Sequence, residues 1–253
     1  MNYSIELKQI LLKNAIAYAT KNNLSGKEFK TSYIFTDVSM NFFNESYLNI
    51  FSNKKYKLRL KKVHSHFKDS QILEMQSSNS SDALLMNIFA NPKILKWKSI
   101  RNLFGLNEND NVLFGWNPEL ANEANHKTEI DMLVGNCIFE AKLTESDFTS
   151  KSIDKVLTYQ DVEQIFDLSF LVKDSLVTNY QLIRNILVAN KYNYNFFLIL
   201  DERRIDLIRE FVYILIAIKD KVLAQRIKFV TWQEISACLG KDLKQFIIDK
   251  YLK

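Results

Sequence analysis

Glycine, proline and cysteine are scarce in this chain. Its 253 residues include 5 Gly, 2 Pro and 2 Cys, and so few turn-forming residues disfavour an all-β fold built on tight turns. Cys137 and Cys238 lie far apart and belong to no CxxC or Cys/His pattern. This spacing argues against a zinc site and is typical of a protein from a reducing compartment.

Long hydrophobic runs are also missing. The longest covers the eight residues 211–218, between Glu210 and Lys219, and is too short to span a bilayer. Charged residues interrupt the apolar segment 5–19, which therefore does not resemble a secretory signal. We expect a cytoplasmic protein that is not inserted in a membrane.

Two common catalytic signatures are absent. The sequence has no GxxxxGK[ST] phosphate loop and no serine in a GxSxG context, so any coupling to nucleotide hydrolysis would require another protein. What the chain does have is 47% hydrophobic residues and a net charge of +5. The first supports a sizeable core, and the second permits nucleic-acid binding without demonstrating it.

The order of predicted elements indicates an α/β fold with a mixed central sheet flanked by helices. The predicted elements are a helix at 82–90, strands at 112–116, 129–134 and 137–143, helices at 153–170 and 179–190, a strand at 195–200, a helix at 205–224 and a strand at 227–230. We expect residues 71–253 to form this domain and residues 1–70 to form a helical N-terminal region.

The N-terminal region contains a lysine-rich segment at residues 51–67. Its basic residues alternate with apolar ones and include Lys54, Lys55, Lys57, Arg59, Lys61 and Lys62. An amphipathic basic segment of this kind is suited to lie along a phosphate backbone and grip DNA. A solvated helix face is an equally good interpretation.

The stretch 128–143 predicts a β-hairpin. Gly135-Asn136 stands between two alternating apolar runs, which is typical of a two-residue turn. Such a turn pairs Val134 with Cys137. Because side chains alternate along a strand, one face then holds only apolar residues, namely Ile130, Met132, Val134, Cys137, Phe139, Ala141 and Leu143.

The other face of this hairpin concentrates charge at one end. In the predicted register Asp131 lies opposite Glu140, and Glu129 lies opposite Lys142. Two carboxylates placed directly across an antiparallel pair have Cβ atoms about 4.5–5.5 Å apart and repel each other. Lys142 or a divalent cation such as Mg²⁺ or Mn²⁺ would balance them. The alternative is an ordinary salt-bridged patch on a solvated sheet face.

The bare pattern of an acid, any residue and a lysine is weak. It also occurs at Glu6-Leu7-Lys8, Glu28-Phe29-Lys30 and Asp242-Leu243-Lys244. Those three copies lie in segments with a helix-like sequence pattern and have no predicted partner strand that carries an aspartate. Only Glu140-Ala141-Lys142 is predicted in a strand with Asp131 opposite, so the context selects it.

Asp131, eight further residues and Glu140-Ala141-Lys142 resemble the catalytic hairpin of the PD-(D/E)XK nuclease superfamily. The surrounding order of elements, over roughly residues 72–235, is similar to the common restriction-endonuclease-like core. Segments 80–83, 180–185 and 231–234 are similar to uncharacterised bacterial restriction-endonuclease-like proteins. The resemblance implies that Asp131 and Glu140 bind Mg²⁺, for which Mn²⁺ can substitute, and that Lys142 is the catalytic lysine.

Several further residues are auxiliary candidates. Many members carry a further acid in the first core helix, and here the candidates are Asp82 and Glu74; the alternative for Asp82 is a first-turn carboxylate that interacts with the helix dipole. Glu129 is an auxiliary candidate on the hairpin. Gln181, which shares a predicted helix with Arg184 and Asn185, is placed to reach either the site or the DNA backbone, or else is a polar residue on a half-exposed helix.

The resemblance implies a magnesium-dependent endonuclease that hydrolyses DNA phosphodiester bonds in restriction or another form of DNA defence. The alternatives are a catalytically silent DNA-binding or assembly subunit with the same fold, and a repair or recombination nuclease. DNA is the expected partner. Because cutting both strands of a duplex generally needs two active sites, we also expect a homodimer.

Overall fold

A computed structural model of the chain describes residues 2–64, 72–120 and 128–253. They form two compact units, the first from Met1–Asp110 with Trp232–Lys253 and the second from Asn111–Thr231. The end of the lysine-rich segment, residues 65–67, lies outside the described residues. Within the described ranges, no helix combines the length and the apolar character needed to cross a membrane.

The secondary structure is mixed. The α-helices are α1 (Tyr3–Lys21), α2 (Asn44–Ser52), α3 (Lys54–Arg59), α4 (Ser81–Phe89), α5 (Lys98–Phe104), α6 (Ile153–Leu157), α7 (Val162–Ile165), α8 (Tyr180–Tyr192), α9 (Ile205–Ala217), α10 (Lys221–Gln225), α11 (Trp232–Ala237) and α12 (Lys241–Ile247). The strands are β1 (Gly26–Phe29), β2 (Ser32–Phe35), β3 (Val112–Trp116), β4 (Ile130–Val134), β5 (Cys137–Ala141), β6 (Lys151–Ser152), β7 (Val172–Lys173), β8 (Leu176–Val177), β9 (Asn195–Leu200) and β10 (Ile227–Thr231).

The N-terminal region contains the helices α1, α2 and α3 and also a hairpin that was not predicted. Strands β1 and β2 pair antiparallel, with Gly26 opposite Phe35. The turn between them has no glycine, and Lys30 adopts a φ of 54° there. Because a lysine is not a usual residue for a left-handed turn position, no local pattern indicates a turn at this point.

The C-terminal segment completes the first unit. Helix α1 packs against a final π-helical turn at Ile248–Leu252. Within that turn Lys250 is 1% exposed, and its ammonium donates a 2.6 Å hydrogen bond to the Asn41 carbonyl oxygen. The ring centroid of Phe35 lies 4.7 Å from the Lys250 Nζ. Burial holds the pKa of Lys250 well below its ordinary value.

The second unit is built on a five-stranded mixed sheet with the strand order β10-β9-β5-β4-β3. Strands β3, β4 and β5 pair antiparallel, and β5, β9 and β10 pair parallel. Helix α8 packs against β5 and β9, and its apolar side chains join those of the sheet in one core. The predicted α/β fold with a mixed central sheet flanked by helices is confirmed.

Two long helices of the prediction are broken in the structure. The helix expected at 153–170 is replaced by α6 and α7, because Asp161 between them adopts a left-handed φ of 66°. The helix expected at 205–224 ends at Ala217, where Ile218 becomes extended and bridges Phe166. Asp220 then caps α10 by accepting from the Val222 backbone N–H. Strands β6, β8 and β7, which form a small separate sheet, were also not predicted.

Candidate active site

The hairpin of β4 and β5 has the predicted register. Val134 lies opposite Cys137, and Met132 lies opposite Phe139. Gly135 takes the positive φ of the turn, at 56°, as expected for a glycine at the first position of a two-residue loop. The local signals of alternation and turn chemistry therefore fix which residues of the two strands share a face.

The charged face is buried at Glu140 and Lys142, whereas Asp131 is half-buried and Glu129 is exposed, so the face is not a uniformly solvated patch. Ile138 on this face is fully buried, in the same core as Ile183 and Ile186 of α8. As a result Glu140 is only 4% exposed and Lys142 only 5%. A buried charge is costly unless it is paired and hydrogen-bonded, so the partners of these two side chains decide what the site can do.

Lys142 is held between two elements. Its Nζ lies 2.9 Å from Glu140 Oε1 and donates a 3.0 Å hydrogen bond to Gln181 Oε1 on the first turn of α8. The predicted reach of Gln181 to the site is thus present in the geometry. The ammonium is fixed at the sheet surface by one carboxylate and one amide.

Asp131 is bound to the neighbouring strand through its side chain. The β4–β5 ladder reaches Met132 and Phe139, and beyond it Asp131 Oδ2 accepts a 2.8 Å hydrogen bond from the Ala141 backbone N–H. The Asp131 carboxylate is therefore anchored at the middle residue of the Glu140-Ala141-Lys142 triplet. Sequence reasoning placed Asp131 opposite Glu140 but did not predict this bond.

A glycine flanks Asp131 on the other side of β4. In the β3–β4 register Phe114 pairs with Met132 and Trp116 with Ile130, so Gly115 stands at the position facing Asp131. Gly115 has a φ of 64°, a left-handed conformation that costs other residues about 1–2 kcal/mol. The backbone of β3 therefore departs from regular strand geometry beside the candidate acid.

Glu140 has a second partner that sequence reasoning did not assign. Asn185 Nδ2 on α8 donates a 2.8 Å hydrogen bond to Glu140 Oε2. Gln181 and Asn185 are four residues apart, which places them on one face of the helix. That spacing was the available signal, but it does not say which strand the face covers.

The charge balance around Lys142 is negative. Burial by itself lowers the pKa of the Lys142 ammonium, but the carboxylates of Glu140, Glu145 and Asp131 outweigh burial and raise it above its ordinary value. Glu145, which sequence reasoning missed, is oriented by the Leu143 backbone N–H at 2.7 Å. Three carboxylates thus act on the single Lys142 ammonium.

The three other candidate acids have different surroundings. Asp82 belongs to the first unit, where Arg59 contacts both carboxylate oxygens at 3.2 and 3.1 Å and Lys62 lies 2.7 Å from Oδ2. Burial raises the pKa of Asp82, but Arg59 and Lys62 outweigh it and hold the pKa below its ordinary value. Glu74 lies in a short 3₁₀ turn of the same unit, and Glu129 is exposed just before β4.

The second unit thus presents Asp131, Glu140 and Lys142 on a β-hairpin of a mixed sheet, with α8 packed against that sheet. The model of one family, described as restriction endonuclease associating with ARP, matches residues 12–252, and the chain belongs to this family. No curated protein and no solved structure matches the chain.

Proposed function

We propose that this protein is a magnesium-dependent endonuclease of the PD-(D/E)XK type that hydrolyses DNA phosphodiester bonds in restriction or another form of DNA defence. Membership of the family supports a nuclease or DNA-defence role. The observation that carries the proposal is the buried Lys142 ammonium, which is bonded to Glu140 and Gln181, while the Asp131 carboxylate of β4 accepts a hydrogen bond from the Ala141 backbone N–H of β5.

The donor chemistry fits a divalent cation. Carboxylate oxygens are the ligands that Mg²⁺ prefers, and Mg²⁺ is usually bound by one or two protein carboxylates together with water and substrate phosphate. Asp131 and Glu140 supply such a pair, and the negative charge acting on Lys142 provides the electrostatic attraction. The part of the chain that the structure describes holds no group of three or more His, Cys, Asp or Glu placed to bind a metal, so water and phosphate oxygens would complete the shell.

In the proposed hydrolysis, the cation and Lys142 have different roles. A water oxygen forms a bond to phosphorus, one phosphodiester P–O bond breaks, and the leaving oxygen takes up a proton. A bound Mg²⁺ supplies Lewis-acid polarisation of the phosphate and lowers the pKa of water. Because its pKa is raised, Lys142 stays protonated, so it acts by steadying the charge that develops on the phosphate and by orienting water rather than as a base.

A partner protein is part of the proposal. The family description names an association with ARP, and we infer that this chain also binds such a partner. An assembly role alone would not require a buried lysine held by a carboxylate and an amide. The intact Asp131, Glu140 and Lys142 therefore favour catalysis over a silent subunit.

The test is cleavage of plasmid and phage DNA by the purified protein, alone and together with its ARP partner. Mg²⁺, Mn²⁺ and EDTA are compared, the ends are mapped, and Lys142→Ala serves as the inactive control. We expect metal-dependent ends that the variant does not produce. Absence of cleavage with either cation, with and without the partner, would overturn the proposal and favour the silent subunit.

A further inference from the structure

Over the described parts of the chain, Asn185 has a buried side-chain amide in which the donor group is hydrogen-bonded and the acceptor oxygen is not. It lies on α8 and is 1% exposed. Its Nδ2 donates to Glu140 Oε2 at 2.8 Å, whereas its Oδ1 is buried and has no hydrogen-bond partner among the described residues. Leaving a buried acceptor unpaired costs about 1–3 kcal/mol.

Packing alone would favour an apolar residue at this position. The neighbouring positions on α8, Leu182, Ile183 and Ile186, are fully buried in the core. A leucine branches at the same atom as asparagine and would leave no unpaired polar atom. The side-chain amide at position 185 is therefore explained by the hydrogen bond that it donates to Glu140.

The bond also fixes the orientation of both groups. An ionised carboxylate only accepts hydrogen bonds, so the amide must present Nδ2 to Glu140 and turn Oδ1 away. Glu140 then has a partner on each oxygen, Lys142 on Oε1 and Asn185 on Oε2. Each carboxylate oxygen keeps another lone-pair direction, so the two bonds set the plane of the carboxylate and leave it able to bind a cation.

We propose that Asn185 is a positioning residue that holds Glu140 in the orientation needed to bind the divalent cation. The inference rests on the proposed function. Groups that hydrogen-bond a metal ligand tune the affinity of the metal, and their loss typically costs about 10–100-fold in affinity or activity. Gln181, one turn earlier, contacts Lys142 instead, so the two amides of α8 serve two different parts of the site.

The experiment measures metal binding directly as well as cleavage. Mn²⁺ affinity is determined by calorimetry on the full-length protein without DNA, and cleavage is followed as a function of Mg²⁺ concentration. For Asn185→Leu we expect Mn²⁺ affinity to fall about tenfold or more, with the half-saturating Mg²⁺ concentration rising by a similar factor. At saturating Mg²⁺ most of the cleavage rate returns, and the melting temperature in EDTA does not fall.

Two matched variants define the specificity of the effect. Gln181→Leu removes the amide that contacts Lys142, so it should lower cleavage at saturating Mg²⁺ without changing Mn²⁺ affinity. Asn190→Leu makes the same substitution as Asn185→Leu on the same helix, at a half-buried position away from the site, and should change neither quantity. If Asn185→Leu does not fold, Asn185→Ala removes the same donor without added bulk and is measured in the same way.

The outcomes separate this inference from the proposed function. If the wild type neither binds Mn²⁺ nor cleaves DNA, the proposed function itself fails. If the wild type does both and the Asn185 variants keep its Mn²⁺ affinity and Mg²⁺ dependence, only the positioning role is overturned. A lowered melting temperature with unchanged Mn²⁺ affinity would likewise make Asn185 a structural residue.

Discussion

At the scale of single residues, Lys142 is 5% exposed and paired with the similarly buried Glu140. A substitution of Lys142 is therefore expected to change the stability of the fold as well as the proposed cleavage. Removing one partner of a buried ion pair costs up to about 3–5 kcal/mol. We therefore expect Lys142→Ala to abolish cleavage and to lower the melting temperature in EDTA. Added Mg²⁺ should restore part of the lost stability, because the cation can balance the carboxylates.

Asp131→Asn should affect the melting temperature in the opposite direction to Lys142→Ala. The amide oxygen can still accept from the Ala141 N–H, while repulsion with Glu140 is relieved. Cleavage should be lost, but the melting temperature in EDTA should hold or rise. Lys151→Ala, on an exposed lysine of the same unit, is the control. If Mg²⁺ shifts the melting temperature of none of these proteins and neither cation supports cleavage, the interpretation of the site as a metal site is wrong.

Asp82 makes the stability of the first unit depend on pH. Arg59 and Lys62 hold its pKa below the ordinary value of 3.8. A carboxyl with a lowered folded-state pKa stabilises the fold above its unfolded pKa, and this contribution is lost as the pH falls through the folded-state pKa. The melting temperature of Asp82→Asn should thus lie below that of the wild type near pH 7, and the gap should narrow below about pH 4.

Melting curves between pH 3 and pH 7 check this expectation. The gap between the two proteins at neutral pH should not depend on Mg²⁺, because two basic side chains already contact the Asp82 carboxylate. A Mg²⁺-dependent gap would instead make Asp82 a metal ligand.

At the scale of elements, the lysine-rich helix α3 and its flanks divide into two groups. Arg59 and Lys62 bind Asp82, whereas Lys54, Lys55 and Lys61 are exposed. We expect the triple change of these exposed lysines to Gln to weaken DNA binding. The dependence of log affinity on log salt should flatten by about 0.9 for each phosphate that a lysine no longer neutralises.

The rate of cleavage at saturating DNA should not change in this triple variant, because the expected role of the three lysines is to contact the phosphate backbone and not to take part in the reaction. Lys13, Lys96 and Lys98, exposed lysines of the same unit, changed to Gln together form the control. Equal DNA affinity and salt dependence in the two triple variants would show that the lysine-rich segment is only a solvated helix face.

The elements also show what the sequence could and could not predict. The β4–β5 register was predictable because alternation and the turn at Gly135 are local signals. The bond between Asn185 and Glu140 joins residues 45 positions apart, and no local pattern specifies which strand α8 covers. The break at Asp161 was not predictable either, since aspartate adopts a left-handed φ only occasionally and residues 153–170 contain no glycine or proline that would indicate a break.

At the scale of the whole molecule, the candidate active site on the β4–β5 hairpin would give each chain one site for cutting DNA. Cutting both strands of a duplex calls for two active sites, and a twofold pair is the commonest oligomer. We expect light scattering to show two copies of this chain on a cleavable duplex, whether or not the ARP partner is present. A monomer both free and on duplex would contradict this, and nicked rather than linear plasmid would then be the expected product.

The two units are distributed differently along the chain. The second unit is continuous over Asn111–Thr231, whereas the first needs Trp232–Lys253 in addition to its N-terminal part. That last segment brings Lys250 and the turn that packs against α1. Since domains generally fold as units, the second unit has all of its residues once Thr231 is added, whereas the first still lacks Trp232–Lys253. The first unit therefore begins with the N-terminal residues but receives its last residues only after the second unit is complete.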